Sequence, residues 1–345
     1  MRQSMLAAVL ESLGQPLRVT TVPRPEPGPG EILVRLEASG ICHTDVHVWQ
    51  GNVRPASGQS TSILGHEGVG RVVQLGAGVT DWRLGERAGV AWLHDTCGDC
   101  DECHADMESF CQHQRAHGFD VAGTFAEYVV ADARFAARLP DEGDAAVLAP
   151  LMCAGLTAFG AVQRAGVKEG EICAVFGCGG LGLYAIQIAR RLGATVVAID
   201  TDAAKLRLAA SLGAEHTLLA SPELAGTWPA NLRAHVCINF APTPASWDAM
   251  VAAIRPRGRI IAAAMVSQPV PLSQEWLTAS GVWITGTSVG TRAQMRELIH
   301  LHEAQPFEAQ VQRVTLAEAT SALARLKAGN AEGRQAIVFG TDNRR

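Results

Sequence analysis

The 345-residue sequence predicts a mixed α/β protein, with a β-rich part joined to a parallel sheet layered with helices. Three observations predict it. Up to Pro150 the chain runs in short β-like stretches broken by Gly and Pro, whereas beyond Pro150 short apolar strands alternate with segments of helical spacing. Such alternation builds a parallel sheet, because each crossover between parallel strands needs a helix-sized connection. The length suits two domains of roughly 100–200 residues each.

The elements follow in order. Met1–Ser12 (MRQSMLAAVLES) reads as a first strand, and without a small-residue cleavage site it is not read as a secretory signal. Val19–Gly30 has proline at every second position from Pro23 to Pro29 and reads as an extended connector. Glu31–Ala38 alternates like a strand, and Gly68–Leu75, Phe125–Val130 and Ala136–Leu139 follow in the same style. In the second part Ile172–Phe176 is a strand, Gly177–Gly182 a turn and Leu183–Leu192 a helix. Thr195–Asp200 (strand), Ala203–Leu212 (helix), His235–Phe240 (strand), Trp247–Ile254 (helix) and Arg259–Ala264 (strand) continue the alternation. A helix and a strand between Ala264 and Gly290 read as part of an interface between subunits. The tail adds helices at Arg292–Glu303 and Leu316–Leu326 and a strand at Ala336–Gly340.

The net charge of −5 is mild and no block of like charges occurs, so neither a nucleic-acid nor a membrane-surface partner is expected. The longest apolar stretch, Ile172–Ala189, is interrupted by glycines and does not read as a membrane span. A soluble, cytoplasmic protein is the expectation. Of nine cysteines, four fall between Cys97 and Cys111, which without a secretory signal points to metal rather than disulfides.

Gly177, Gly179 and Gly182 form G-x-G-x-x-G, with Gly180 and Leu181 inside the loop. The pattern is weak alone. Here a strand precedes it, a helix follows, and Asp200 ends the next strand, the arrangement of a dinucleotide site. A pyrophosphate would lie at the helix N-terminus, where free N–H groups favour an anion. Asp200 would accept hydrogen bonds from the adenosine ribose and repel a 2′-phosphate, favouring NAD over NADP; the plainer alternative is that it only caps the next helix. Cys178, inside the loop, is either a small tolerated residue or a redox-sensitive thiol.

Cys97-x2-Cys100-x2-Cys103-x7-Cys111 offers four thiolates on one short lobe, enough to close a tetrahedral zinc site with no position left for substrate. An Fe–S cluster or a group of reduced thiols are the alternatives. Cys42, His66 and Cys153 make a second, dispersed set: two Cys and one His would leave an open position. Their spacing does not show that they meet.

At this point the chain resembles the zinc-containing alcohol dehydrogenases of the medium-chain dehydrogenase/reductase superfamily. Gly65-His66-Glu67-x2-Gly70-x5-Gly76-x2-Val79 matches that family's zinc signature, and Cys42-His43-Thr44-Asp45-x-His47 its first ligand segment. The four-cysteine lobe and the glycine loop fall in the expected order. The resemblance implies a GroES-like β-rich catalytic domain (1–152, with a structural-zinc lobe at 94–113), a Rossmann doubly wound NAD-binding domain (153–288), and a return to the catalytic domain (289–345), with the active site in the cleft between them. It implies two zinc ions per chain, one catalytic on Cys42, His66 and Cys153 and one structural on Cys97, Cys100, Cys103 and Cys111. Glu67 would sit behind the catalytic metal as a transient ligand, Asp45 would hold His66, and Thr44 and His47 would relay a proton. His43 and Arg334 would contact the pyrophosphate, Asp200 and Lys205 the adenosine ribose, Thr157 and Leu181 the nicotinamide. Trp92 and Trp49 lie where the family lines or flanks the substrate pocket, although Trp49 reads equally well as core.

The activity so implied is reversible hydride transfer between a primary or secondary alcohol and NAD, giving an aldehyde or ketone, by a homo-oligomer, a tetramer rather than a dimer. One departure bears on substrate. In the loop Gln50–Leu64, Val53 stands near where the small-alcohol branch carries a second aromatic, which implies a wider pocket. Rival readings are a relative acting on polyols, threonine or a formaldehyde–thiol adduct, a zinc-free carbonyl or quinone reductase, a non-catalytic NAD-binding protein, and a zinc-finger nucleic-acid binder. The complete ligand cysteines and the acidic charge weigh against the last three.

Overall fold

The computed structural model describes residues 3–55 and 61–340. The chain divides into two compact units, Met1–Cys153 with Thr291–Arg345, and Ala154–Gly290.

The spine of the first unit is the strand Glu31–Ile41. It pairs antiparallel with Gly68–Leu75, Tyr128–Asp132 and Arg334–Val338, and the last of these pairs parallel with Val311–Val314. The C-terminal segment thereby completes a seven-stranded sheet begun by the first part of the chain. Because side chains alternate across a strand, Ile32, Val34 and Leu36 share one face, where they pack with Val72, Trp82, Val90 and Val129. A second cluster gathers Met5, Ile41, Val46, Leu64, Phe125, Leu323 and Ile337. Each such buried side chain contributes about 1.5–3 kcal/mol over its exposed state.

The proline-rich connector begins in regular structure: Arg18–Pro23 is a strand, paired antiparallel with Ser4–Val9. Proline is tolerated there because Pro23 ends a two-stranded ribbon and no further strand needs its missing N–H. The four-cysteine lobe holds the short helix Asp101–His104 and a 3-10 turn at Glu108–Phe110. Its helix buries no residue, while Glu108, Ser109 and Cys111 beyond it are buried.

The second unit is a six-stranded parallel sheet. Its order is His216–Leu219, Thr195–Asp200, Ile172–Phe176, Ala234–Asn239, Ile254–Ala262, Trp283–Gly286. Numbered along the chain this is 3-2-1-4-5-6, the doubly wound order with its reversal beside Ile172–Phe176. Its central strands are continuously apolar because both faces are covered: Ala174, Phe176, Val197, Ile199 and Cys237 lie in one cluster with Met250 and Ile260. Two elements carry little sequence signal. His216–Leu219 is an edge strand with mostly exposed side chains. The helix Ala154–Ala165 buries ten of its twelve residues, so it shows no one-sided apolar stripe, and Gly155, Thr157 and Gly160 lower its helix propensity. Among the described residues no single helix is long and apolar enough to cross a membrane.

Candidate functional site

Cys42 sits in extended conformation as the N-cap of the helix His43–Gln50. Asp45, in the first turn, reaches back: its Oδ2 accepts the Cys42 amide at 2.8 Å. Its Oδ1 accepts the Gly65 amide at 3.0 Å and faces His66 Nδ1 at 3.2 Å. One carboxylate, 1% exposed, thus ties the segments carrying Cys42 and His66 together. Cys153 follows the 3-10 turn Ala149–Met152.

The three side chains meet. Cys42 Sγ lies 3.9 Å from Cys153 Sγ, and the ligating atoms of Cys42, His66, Glu67 and Cys153 are all within 4.8 Å of one another. With Nδ1 held by Asp45, His66 Nε2 is buried and has no hydrogen-bond partner. A buried orphaned imidazole nitrogen is costly unless a ligand completes it. A tetrahedral metal with sulfur at about 2.3 Å places its sulfurs about 3.8 Å apart, close to the observed separation. The donor set fits zinc. Contact with Cys153, then the charge of His66, hold the Cys42 thiol well below its ordinary pKa, against the effect of burial.

In the lobe the Sγ separations are 3.5 Å for Cys100–Cys103, 3.5 Å for Cys97–Cys111 and 4.0 Å for Cys97–Cys103. These also bracket the tetrahedral spacing, and the four thiols fill all four positions.

Two of the expected site residues have close partners inside the first unit. Arg334 Nη2 donates to both oxygens of Glu67, at 2.5 and 2.6 Å, while its Nε is buried without a hydrogen-bond partner. The fully buried Glu67 needs a counter-charge, and Arg334 supplies it. Burial still lifts the Glu67 carboxyl to about 7, against the pull of Arg334. Trp49 belongs to the core around Met5, Val46 and Leu323, with its indole N–H donated to the Gln15 carbonyl at 2.7 Å. Val53 packs against the same core, while residues 56–60 of the loop expected to widen the pocket lie outside the described residues.

Trp92 does border the site. Its ring stands perpendicular to His66 at 5.1 Å, and Phe119 leans on it at 5.6 Å. Phe119 carried no sequence signal, since a lone aromatic between short strands is ordinary core by default. Thr44 Oγ1 is 3.8 Å from Cys42 Sγ, and His43 and His47 lie 6.4 Å apart on the same helix.

In the second unit Gly177 has φ +91°, and a Cβ there would come 2.8 Å from the Ala241 amide nitrogen. A Cβ on Gly182 would strike the Gly177 carbonyl at 1.9 Å. Both positions therefore demand glycine. Around Gly179, by contrast, an added Cβ meets nothing within 4 Å, so the loop offers open space at the start of the helix Gly182–Arg191. Asp200 accepts the Cys178 amide at 2.7 Å and the Asp202 amide at 3.0 Å. Capping of the next helix falls to Asp202, whose side chain accepts the Ala204 amide at 2.7 Å. The carboxylate of Asp200 thus stands at the glycine loop with acceptor capacity to spare. Lys205 is half-buried in the helix Ala203–Ser211, and Thr157 is buried in the helix Ala154–Ala165. Cys178 is 1% exposed, and burial, with the Asp200 charge, pushes its thiol up to about 12, which is the plain reading of that residue.

Comparison with known proteins agrees with this geometry. Residues 28–141 match the family described as alcohol dehydrogenase GroES-like domain, and residues 180–304 match zinc-binding dehydrogenase. An alcohol dehydrogenase of Moraxella sp. is 36% identical over 97% of this chain and 99% of its own length. The acetophenone reductase of Geotrichum candidum, solved with NAD, superimposes with a TM-score of 0.88 at 28% identity, over 99% of both chains. A thermostable alcohol dehydrogenase of Pyrobaculum aerophilum, solved with cobalt and zinc, also reaches 0.88, at 30% identity over 98% of this chain and 100% of that one. With its dispersed Cys–His–Cys set, its four-thiol lobe and its glycine loop in one chain, the protein belongs to the zinc-containing alcohol dehydrogenase family of the medium-chain dehydrogenase/reductase superfamily.

Proposed function

We propose that this alcohol dehydrogenase depends on zinc and NAD, with Cys42, His66 and Cys153 holding the catalytic ion and the four lobe cysteines a structural one. The observation that carries this is the orphaned His66 Nε2 beside two sulfurs 3.9 Å apart. When bound, zinc supplies the Lewis acidity that lowers an alcohol's hydroxyl pKa, and NAD accepts the hydride.

The chain's own residues do the rest. Asp45 fixes His66 with Nε2 aimed at the ligand position and keeps the Cys42 loop closed. Thr44, beside Cys42, accepts the hydroxyl proton as it releases its own, which His47 takes on towards solvent, while the hydroxyl-bearing carbon gives up its hydride to the cofactor and becomes the carbonyl. Glu67, neutralised by Arg334, is the carboxylate within reach of the ligand set and serves as a transient ligand. Trp92 and Phe119 provide an apolar wall that excludes water and suits hydrocarbon substituents on the alcohol. The loop from Gly177 to Gly182 takes the pyrophosphate, with His43 as a further contact. Asp200 and Lys205 take the adenosine ribose, which favours NAD over NADP, and Thr157 and Leu181 flank the nicotinamide.

The test is a panel of ethanol, hexanol, benzyl alcohol, secondary alcohols and polyols, following reduced cofactor with NAD and NADP in parallel. Turnover with NAD that is lost on chelation and restored by zinc is expected. Full turnover in protein shown by elemental analysis to be metal-free would overturn the assignment.

A further inference from the structure

Beyond that reading, and resting on it, lies a link between the two metal sites. Trp92 touches His66 on one side, with rings perpendicular at 5.1 Å. On the other, its indole N–H donates to Gln114 Oε1 at 3.3 Å. The Gln114 amide nitrogen donates in turn to the Ser109 carbonyl at 3.0 Å and to the carbonyl of Cys111, one of the four lobe thiols, at 3.1 Å. The amide orientation is forced by its neighbours. Flipped, its NH2 would face the indole N–H and its oxygen would face two carbonyls. The backbone holds the same line: the His117 amide donates to the Trp92 carbonyl at 2.9 Å, and Leu93–Asp95 pairs with Arg115–Ala116. The polar tip of Trp92 is therefore held from the lobe side, while its ring packs on Phe119 and His66.

The lobe has little apolar packing around its helix. Its helix buries nothing, and Cys97 is exposed. Cys111, whose carbonyl accepts from Gln114, is itself part of the four-thiol set, with its Sγ 3.5 Å from Cys97 Sγ. We infer that Gln114 is a positioning residue through which the four-cysteine site sets the Trp92 ring against His66, so that the state of the lobe is felt at the Cys42–His66–Cys153 site. Gln114 touches neither ligand set with its own metal-binding capacity; it acts through the indole and two carbonyls.

The experiment uses full-length protein carrying Co(II) in the three-ligand site and zinc in the lobe. Cys97 is exposed whereas Cys42 and Cys153 are buried, so a mercurial added stepwise releases the lobe metal first. Release of that first equivalent, followed with a chromophoric chelator, is expected to shift the visible Co(II) bands in the unaltered protein. In Gln114→Leu the shift is lost, and Co(II) binds the three-ligand site about fivefold more weakly, the equivalent of one neutral hydrogen bond. Trp92→Phe keeps an aromatic ring but lacks the N–H, and it loses the shift too; it serves if Gln114→Leu does not fold. An unchanged spectrum in the unaltered protein, or the same shift in both variants, overturns the inference. Absence of any thiolate-to-cobalt absorption refutes the metal assignment itself, and this inference with it.

Discussion

Asp45→Asn removes one charge and one acceptor while leaving volume almost unchanged. In the structure Oδ2 accepts the Cys42 amide at 2.8 Å, and Oδ1 serves the Gly65 amide at 3.0 Å and His66 Nδ1 at 3.2 Å. Asparagine has a single acceptor oxygen. If that oxygen keeps Gly65 and His66, its NH2 faces the Cys42 N–H; turned round, it faces two donors. The first arrangement is the cheaper. It leaves one buried donor unpaired, at about 1–3 kcal/mol, and weakens two bonds to a charged acceptor by about 1 kcal/mol each. The expected cost is about 3–5 kcal/mol, and with 1% exposure no water recovers it. Part of this appears as stability and part as looser ligands, with zinc affinity falling about 10–100-fold. Urea unfolding of metal-free and metal-loaded protein separates the two shares, and chelator competition measures the affinity. A variant within about 1 kcal/mol of the parent, with affinity within about threefold, would refute the claim that Asp45 organises both ligand segments.

Cys103→Ser should release one metal equivalent and lower Tm while the three-ligand site still binds Co(II), read by elemental analysis and absorption. Asp200→Gly should raise kcat/KM with NADP relative to NAD; an unchanged ratio would remove Asp200 from cofactor selection. Burial pushes His117 down to about 3, and burial likewise lowers His94, its neighbour at 3.2 Å. An unfolded histidine titrates near about 6.5, so below that pH the unfolded chain binds the extra proton. The stability from the neutral His117 is therefore complete above pH 6.5 and lost as pH falls towards 3, by up to about 1.4 kcal/mol per pH unit. Denaturant midpoints between pH 4 and 7 should show a shallower slope in His117→Asn. Finally, iodoacetamide should leave Cys178 unlabelled in the folded protein, as mass spectrometry of its peptide would show.

Much of this was legible in the sequence because it is local. Four cysteines between Cys97 and Cys111 must share one lobe, whatever the rest of the chain does. The loop from Gly177 to Gly182 announces itself because two of its demands are local: Gly177 takes φ +91°, and a Cβ on Gly182 would strike the Gly177 carbonyl. Alternation of apolar strands and helices beyond residue 170 is a local pattern too, and it read correctly as a parallel sheet. Elements without periodicity escaped: the helix Ala154–Ala165, buried all round, and the edge strand His216–Leu219, hardly buried at all.

The tertiary structure decided everything that depends on through-space neighbours. Cys42 and Cys153 are far apart along the chain, and only the resemblance to a family suggested their meeting; the fold puts their sulfurs 3.9 Å apart. Trp49 read equally well as pocket or core, and it donates to Gln15 within a core, whereas Trp92 stands against His66. Nothing in the sequence around Arg334 announced that the fold sets it against Glu67. The physical reason is common to all three. A side chain's chemistry is written in its own residue, but its partner is chosen by packing, and a buried charge or donor takes whichever complement the fold brings within about 3 Å.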